Sequence, residues 1–387
     1  MRRLVEPSEA YHALLDWQTG FAIDIPASVT PAAAVAGLAQ LYATFPMLGG
    51  RIVRTAEGFA FESPLARPVV ETTERGTHVD ATLSAFAIDT SRPDVTSVSG
   101  RLHHALGDVT SVLSIVDHLL GVVGIDPHAD SIPPETARDW PIAAERVFGD
   151  GQSADAVRET RVFFSGITMP PLKPAQPITV ALKPPQVRAI DGACDRANTS
   201  LTSVIATATA RRFGRDLDRV VVGAPVDCRV FIDPGRLRGI PPRAIGNCSH
   251  GALVPVPLSA DTPAEVLTAA ADCDAELMAQ LEAEAPVAPF LDGRLYQPEK
   301  NAPPPQFVVS NARGAARRFS RLATAGKVLI LPEYSIPAMP MIAVNESPAT
   351  GAVDITFIVD PADFTAHEVR TIADVLQHTL TEIGKQP

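Results

Sequence analysis

His103-His104-Ala105-Leu106-Gly107-Asp108 is the stretch on which the reading of this chain turns. It has the form H-H-x-x-x-D and stands between segments of different period. Before it, Val95, Val98 and Leu102 lie in a short extended run that ends at Arg101-Leu102-His103. After it, Val109, Val112, Leu113, Val116, Leu119, Leu120 and Val123 recur at the offsets of one helix face. The pattern predicts a strand that delivers two histidines and a helix that leaves from the aspartate. Neighbouring strand side chains point to opposite faces, so one imidazole can meet an open channel while the other supports the fold. An unperturbed imidazole titrates near neutrality, which makes neutral His104 a ready general base. The structural alternative is that Asp108 or Thr110 simply caps the helix.

Size and composition bound what this motif can belong to. A chain of 387 residues is long for one core and suits two domains. Lys+Arg is 33 against 44 Asp+Glu, and a net charge of −11 argues against general nucleic-acid binding. No apolar run reaches the length of a membrane span. Met1-Arg2-Arg3-Leu4 lacks the apolar core of a signal peptide, so a cytoplasmic location is expected. Cys194, Cys228, Cys248 and Cys273 show no C-x-x-C spacing and read as small core residues, not as a zinc site or a disulfide framework. There is no glycine-rich phosphate loop and no G-x-S-x-G, so no metal and no permanently bound cofactor is expected.

Working outward, residues 1–165 form a first half. Pro7 to Trp17 reads as a helix, and Thr19 to Ile25 as an alternating strand. Thr30-Pro31 opens a helix with an apolar stripe of Val35, Leu38, Leu41 and Tyr42, which stops at Phe45-Pro46. Arg51-Ile52-Val53 and Phe59-Ala60-Phe61 pair around Ala56-Glu57-Gly58. Residues 166–178 are a proline-rich crossover with the composition of a stiff linker. Residues 179–387 form a second half, whose first strand is Ile178 to Leu182. Two helices follow, carrying Val187, Ile190 and Cys194, then Val204, Ile205 and Ala208. Arg219 to Ala224 is a buried strand by its β-branched content. Thr262-Pro263-Ala264-Glu265 and Thr365-Ala366-His367-Glu368 are capping boxes that launch long helices. Phe307-Val308-Val309, Met341 to Val344 and Val353 to Val359 are further strands, the last two neighbours. Each half is a mixed sheet with helices, an α/β (α+β) class.

At this point the residues resemble a known superfamily. His103 to Asp108 is similar to the H-H-x-x-x-D-G motif of condensation domains and chloramphenicol-acetyltransferase-like acyltransferases. The likeness is greatest to the polyketide-associated, phthiocerol dimycocerosyl transferase-like group. Other segments support it in the right order. Leu4 to Glu9 resembles the family's x-x-S-E segment, and Phe45 to Leu48 its H-P-x-L turn. Thr199 to Ala206 resembles the helix start of the second half. Pro225-Val226-Asp227-Cys228-Arg229 resembles P-V-D-x-R. Ile245-Gly246-Asn247 resembles a G-N turn, and Val309 to Gly314 a late S-N-x-G segment.

The resemblance implies two chloramphenicol-acetyltransferase-like subdomains that form a V with a central channel. Its implied activity is transfer of an acyl group from a carrier-protein or coenzyme A thioester to an acceptor hydroxyl, in polyketide, lipid or other secondary metabolism. Amide formation on an amine, or carrier-protein binding without catalysis, are the alternatives. By position His104 matches the catalytic base, His103 the structural histidine, and Asp108 with Arg229 the pair that holds the loop. Ser310 or Asn311 is the expected oxyanion donor. Arg313, Arg317 and Arg318, in a basic cluster with Arg321 and Lys327, are the expected contacts for phosphopantetheine or an acidic carrier protein. A monomer is expected. One departure stands out: Val109 replaces the glycine that follows the motif aspartate, which narrows the space beside the histidine or alters the turn.

Overall fold

The computed structural model describes residues 2–64, 68–126, 177–214, 219–231, 243–283, 305–335 and 339–386, with short pieces at 142–143, 162, 173–174, 217 and 285. In the first half β1 (Arg2–Leu4), β2 (Gln18–Ile25), β3 (Arg51–Thr55), β4 (Gly58–Glu62), β5 (Glu71–Thr72), β6 (Gly76–Asp80), β7 (Ser84–Arg92) and β8 (Val95–His103) accompany helices α1 (Pro7–Leu15), α2 (Pro31–Thr44) and α3 (Val109–Val122). The short strands β9 (Ile142–Ala143) and β10 (Lys173–Pro174) follow. The second half contributes β11 (Ile178–Leu182), β12 (Arg219–Asp227), β13 (Gly246–Asn247), β14 (Ser249–Pro257) and β15 (Phe307–Asn311). Its remaining strands are β16 (Lys327–Pro332), β17 (Tyr334–Ser335), β18 (Met341–Ser347) and β19 (Ala352–Ile358). Its helices are α4 (Pro184–Ala197), α5 (Leu201–Gly214), the single turn α6 (Cys228–Phe231), α7 (Pro263–Glu282) and α8 (Ala366–Ile383).

Local chemistry explains the boundaries. Thr30 accepts the Ala33 N–H at 3.2 Å and starts α2, with Pro31 at its first position. The boxes at Thr262 and Thr365 are closed by Glu265 and Glu368, whose carboxylates accept the cap N–H at 2.8 Å in each case. The α8 stripe of Val369, Ile372, Leu376, Leu380 and Ile383 is fully buried against the second sheet's core. Each such side chain contributes about 2 kcal/mol. Val375, expected on that stripe, is only half-buried, and Ala373 fills the inward position instead.

Two six-stranded sheets organise the molecule. The first has the order β16-β2-β8-β7-β6-β5 and packs α2 and α3 on one face. The second has the order β11-β19-β18-β15-β12-β14, with parallel pairs at β12–β15 and β15–β18. Every residue of β18 is buried, because helices cover one face of its sheet and the first half covers the other. Met341, Ala343, Val308 and Ile358 meet Leu15 and Trp17 in a small apolar cluster between the halves.

One boundary drawn from the sequence is corrected. Residues 327–332, assigned to the second half, form β16, the edge strand of the first sheet, in antiparallel register from Lys327 opposite Asp24 to Pro332 opposite Thr19. Ala316, Phe319, Leu322, Val328 and Ile330 join the first half's core. The run Val328-Leu329-Ile330-Leu331 alternates as a strand should, but nothing local says which sheet it joins. Pro332, which has no N–H to give a ladder, suits its end at an edge. The proline-rich crossover lies mostly outside the described residues, as does the boundary near 165. Of the crossover, Lys173–Pro174 pairs with β17 and Pro177 leads into β11.

Candidate active site

β8 ends at His103, which lies opposite Gln18 of β2. The His104 N–H donates to the Trp17 carbonyl at 2.7 Å, and the Leu106 N–H closes a turn on the His103 carbonyl at 2.9 Å. The two imidazoles therefore part company at a strand end. His103 is buried. Its Nδ1 accepts the Ala105 N–H at 3.1 Å, so its proton sits on Nε2, 3.3 Å from Asp16 Oδ1. Asp16 closes α1 in the left-handed region at φ 48°, and its hydrogen bond to His103 holds its carboxyl below the usual range. This ring ties α1 to β8.

His104 is half-buried and opens on a cavity of about 140 Å³. Trp17 and Val109 wall it from the first half, Ser310 and Met341 from the second. The His104 ring stacks on His12 (centroids 4.1 Å apart, planes 12° apart) and on Trp17 (4.8 Å, 28°). Burial is the main cause that lowers its pKa to about 4, against the opposing pull of the Asp108 charge and a hydrogen bond of the ring to its own backbone. The neutral form is thus secured, but the ring is a weaker base than an unperturbed imidazole, because the desolvated site penalises the cation. Only Nδ1 reaches the residue's own carbonyl, so Nδ1 carries the proton and Nε2 keeps the lone pair. Asn247 Nδ2 lies 3.4 Å from Nδ1, and Asn247 Oδ1 has no hydrogen-bond partner among the described residues. Exchange of the amide's oxygen and nitrogen by a flip would bring Oδ1 to that position as an acceptor for the Nδ1 proton.

Asp108 commits both carboxylate oxygens to protein groups and joins the halves. Oδ1 accepts the Ser111 N–H at 3.1 Å as the N-cap of α3. Oδ2 accepts Arg229 Nη1 at 2.7 Å, the Cys248 N–H at 2.9 Å and Ser249 Oγ at 3.3 Å. Burial pushes the carboxyl up, but Arg229 and these donors outweigh it and leave the pKa lowered. Arg229 also donates to Asp227 Oδ1 at 3.1 Å and to the carbonyls of Ala244 and Gly246 at 3.1 and 2.7 Å. Capping, the structural alternative read from the sequence, and ion pairing are both done by this one carboxylate. Gly107 is sterically required: a Cβ there would lie 2.4 Å from Ser111 Cβ. Val109 is the first residue of α3 with no left-handed backbone to accommodate, so the missing glycine leaves the turn intact and Val109 becomes a cavity wall.

The two expected oxyanion donors differ. Asn311 is occupied: Nδ2 donates to Thr202 Oγ1 at 2.8 Å and Oδ1 accepts the Arg313 N–H at 2.9 Å. Ser310 lines the His104 cavity, and its hydroxyl has no hydrogen bond among the described residues. The basic cluster is dispersed over carboxylates. Arg313 is bidentate to Asp191, Arg317 meets Glu346, Arg318 meets Asp227 at 3.2 Å, and Arg321 is buried against Asp117 at 3.0 Å. Of these, Arg318 lines the cavity. His12, Trp17 and Asn247 were not singled out as site residues. Asn247 stands in the Gly246-Asn247 turn already noted, whereas His12 and Trp17 carry no local signal. Among the described residues no group of His, Cys, Asp and Glu is placed to hold a metal ion, and no helix is long and apolar enough to cross a membrane. The four cysteines are buried free thiols.

No family model matches the chain, and no curated protein matches it in sequence. Solved structures do match over its full length. Polyketide synthase associated protein 5 from Mycobacterium tuberculosis superposes with a TM-score of 0.72 at 18% identity, covering 99% of this chain and 98% of its own. The TRI3 trichothecene 15-O-acetyltransferase from Fusarium sporotrichioides gives 0.68 at 12% identity, over 99% and 95%. The first condensation domain of the CDA synthetase gives 0.65 at 14%, over 100% and 97%. The chain has the fold of condensation domains and polyketide-associated acyltransferases, two chloramphenicol-acetyltransferase-like subdomains.

Proposed function

From this shared fold we propose that the protein is an acyltransferase, moving an acyl group from a phosphopantetheine thioester, on a carrier protein or coenzyme A, to an acceptor hydroxyl. The observation that carries the reading is His104: a neutral imidazole, fixed by stacking and by its own backbone, half-exposed on a cavity walled by both subdomains. Nε2 takes the proton of the acceptor hydroxyl as its oxygen attacks the thioester carbonyl. The new C–O bond leaves a tetrahedral oxyanion, to which the Ser310 hydroxyl donates. Collapse breaks the C–S bond, and the departing thiolate recovers the proton from the His104 imidazolium. No covalent enzyme intermediate, metal or resident cofactor enters these steps. The negative charge of Asp108, which raises the affinity of His104 for a proton, favours the imidazolium at the moment it forms. Arg318 is the arginine of the dispersed cluster placed to meet the donor's phosphate.

The test supplies purified protein with acyl-coenzyme A and acyl-carrier-protein donors, together with alcohols or amines. Ester formed by the wild type and lost in His104→Ala supports the proposal. Amide as the sole product moves the reading to condensation chemistry. Absence of turnover with every donor, alongside tight carrier-protein binding, overturns it.

A further inference from the structure

A larger cavity of about 560 Å³ lies on the opposite face of the first sheet, away from α2 and α3. Its floor is stripped to small residues: Gly20 and Ala22 of β2, Ala85 of β7 and Ser99 of β8. Leu329 and Leu331 of β16 form one apolar wall, and Ile358 closes it from the second half. A mostly apolar cleft of this size with a few polar groups is the usual form of a small-molecule site. Three charged side chains face it: Asp80, Arg101 and Glu333. Arg101 donates from Nη2 to Asp80 at 2.7 Å, while its Nε is buried without a partner among the described residues. The Glu333 carboxylate makes no hydrogen bond or ion pair among the described residues. Its N–H is pinned to the Gln18 carbonyl at 3.0 Å, and its Cγ lies 3.2 Å from where a Cβ on Gly20 would stand. Gly20 thus makes the room that lets this carboxylate lie across β2 into the cavity. Burial and the nearby Asp80 charge push its carboxyl up, against the pull of Arg101.

We propose that this cavity anchors the acceptor by a protonated amine seated on Glu333, with the acceptor's apolar body along Leu329, Leu331 and Ile358. The inference deepens the acyl-transfer reading and rests on it for the word acceptor, not for the binding. Glu333 is no wall of the His104 cavity, while Leu331 and Pro332 wall both. The ammonium is therefore a handle and not the nucleophile, and a separate hydroxyl is the group acylated. The acceptor class is an apolar amino alcohol. A charge-assisted bond from ammonium to a half-buried carboxylate gives the selectivity.

Isothermal titration of the full chain at pH 7.5 with n-hexylamine, n-hexanol and n-hexanoate tests the site without any turnover. The amine should bind at least about tenfold tighter than the alcohol, with hexanoate weakest. Glu333→Gln should abolish that preference while leaving alcohol affinity unchanged, and His104→Ala should bind hexylamine as the wild type does. Amine selectivity in a protein that transfers no acyl group leaves the anchor standing and removes the transfer reading. Equal affinity for amine and alcohol, tightest binding of hexanoate, or a Glu333→Gln variant that still prefers the amine overturns the inference.

Discussion

Replacing Asp108 by alanine separates a fold-holding carboxylate from one that takes part in chemistry. The substitution removes the N-cap of α3, worth about 1 kcal/mol. It also strands Arg229, whose guanidinium is 1% exposed, and breaking a buried pair of this kind costs about 3–5 kcal/mol. Arg229 keeps Asp227 at 3.1 Å and two backbone carbonyls, which places the second cost at the low end. The sum is about 4 kcal/mol, or about 8 °C in Tm for a large domain. Arg229→Ala should cost about 3 kcal/mol, because Asp108 retains the N–H groups of Ser111 and Cys248. The apolar double variant Asp108→Leu/Arg229→Met buries no stranded charge and should be less destabilised than the sum of the singles by at least about 2 kcal/mol. Urea denaturation of the four proteins, with unchanged m-values, measures the cycle. Because the folded pKa of Asp108 is depressed, its contribution is complete above the ordinary carboxylate range and is lost only as the pH falls below it. The cycle should therefore read the same at pH 6 and pH 8. An Asp108→Ala protein that loses activity but unfolds within about 1 kcal/mol of the wild type would refute the structural assignment, as would strict additivity.

Three further outcomes are expected. With a His104 pKa of about 4, kcat/KM should be flat from about pH 5 to pH 8 and fall on an acid limb near 4; stability contributed by the neutral ring is full above the unfolded value of about 6.5 and declines as the pH falls from there toward 4. A break in kcat/KM near 6.5 would contradict the desolvated site. Val109→Gly should cost about 0.5–1 kcal/mol at the start of α3 and raise kcat/KM for branched acyl donors relative to acetyl, and an unchanged ratio would remove Val109 from the cavity wall. Asn345→Leu should lower stability by about 3 kcal/mol, since Asn345 Oδ1 accepts the Ile330 N–H at 3.0 Å and its Nδ2 donates to the Ile330 carbonyl at 3.2 Å; a loss below about 1 kcal/mol in urea denaturation would show that water replaces the clamp.

What could be read from the chain was what short-range physics writes into it. The strand, turn and helix around His103 to Asp108 follow from a change of apolar period, and the ends of α2, α7 and α8 from side chains that cap within four residues. Even the meeting of Asp108 with Arg229, 121 residues apart, was expected, but on a resemblance and not on spacing. Three features escaped because they are set by tertiary register. The sheet that β16 joins depends on the apolar faces of two distant strands. The stacking of His12 on His104 depends on where α1 lies across the end of β8. The dispersal of the arginines depends on carboxylates from four other elements, so a basic run in sequence becomes a set of separate pairs in space. The lowered His104 pKa belongs to the same class, because desolvation is a property of the assembled cavity.

The transfer of β16 to the first sheet also limits how a substrate can enter. From Ser310 at the end of β15 the chain runs through Phe319 and Leu322, both buried in the first half's core, and returns as β16 along β2. These residues move with the first sheet, so parting the subdomains would expose instead the cluster between them, Leu15, Trp17, Met341 and Ile358, at about 2 kcal/mol each. It would also pull apart the Asn345 clamp on Ile330, whose two backbone bonds are buried. A cost of about 8 kcal/mol before any hydrogen bond is counted keeps the widely open form to about one molecule in a million. In the closed form, which nearly every molecule occupies, both reactants arrive through the existing faces of the molecule. His104 and Ser310, brought from different subdomains, keep one relative geometry throughout, which is what a base and an oxyanion donor need if they are to act on the same tetrahedral centre.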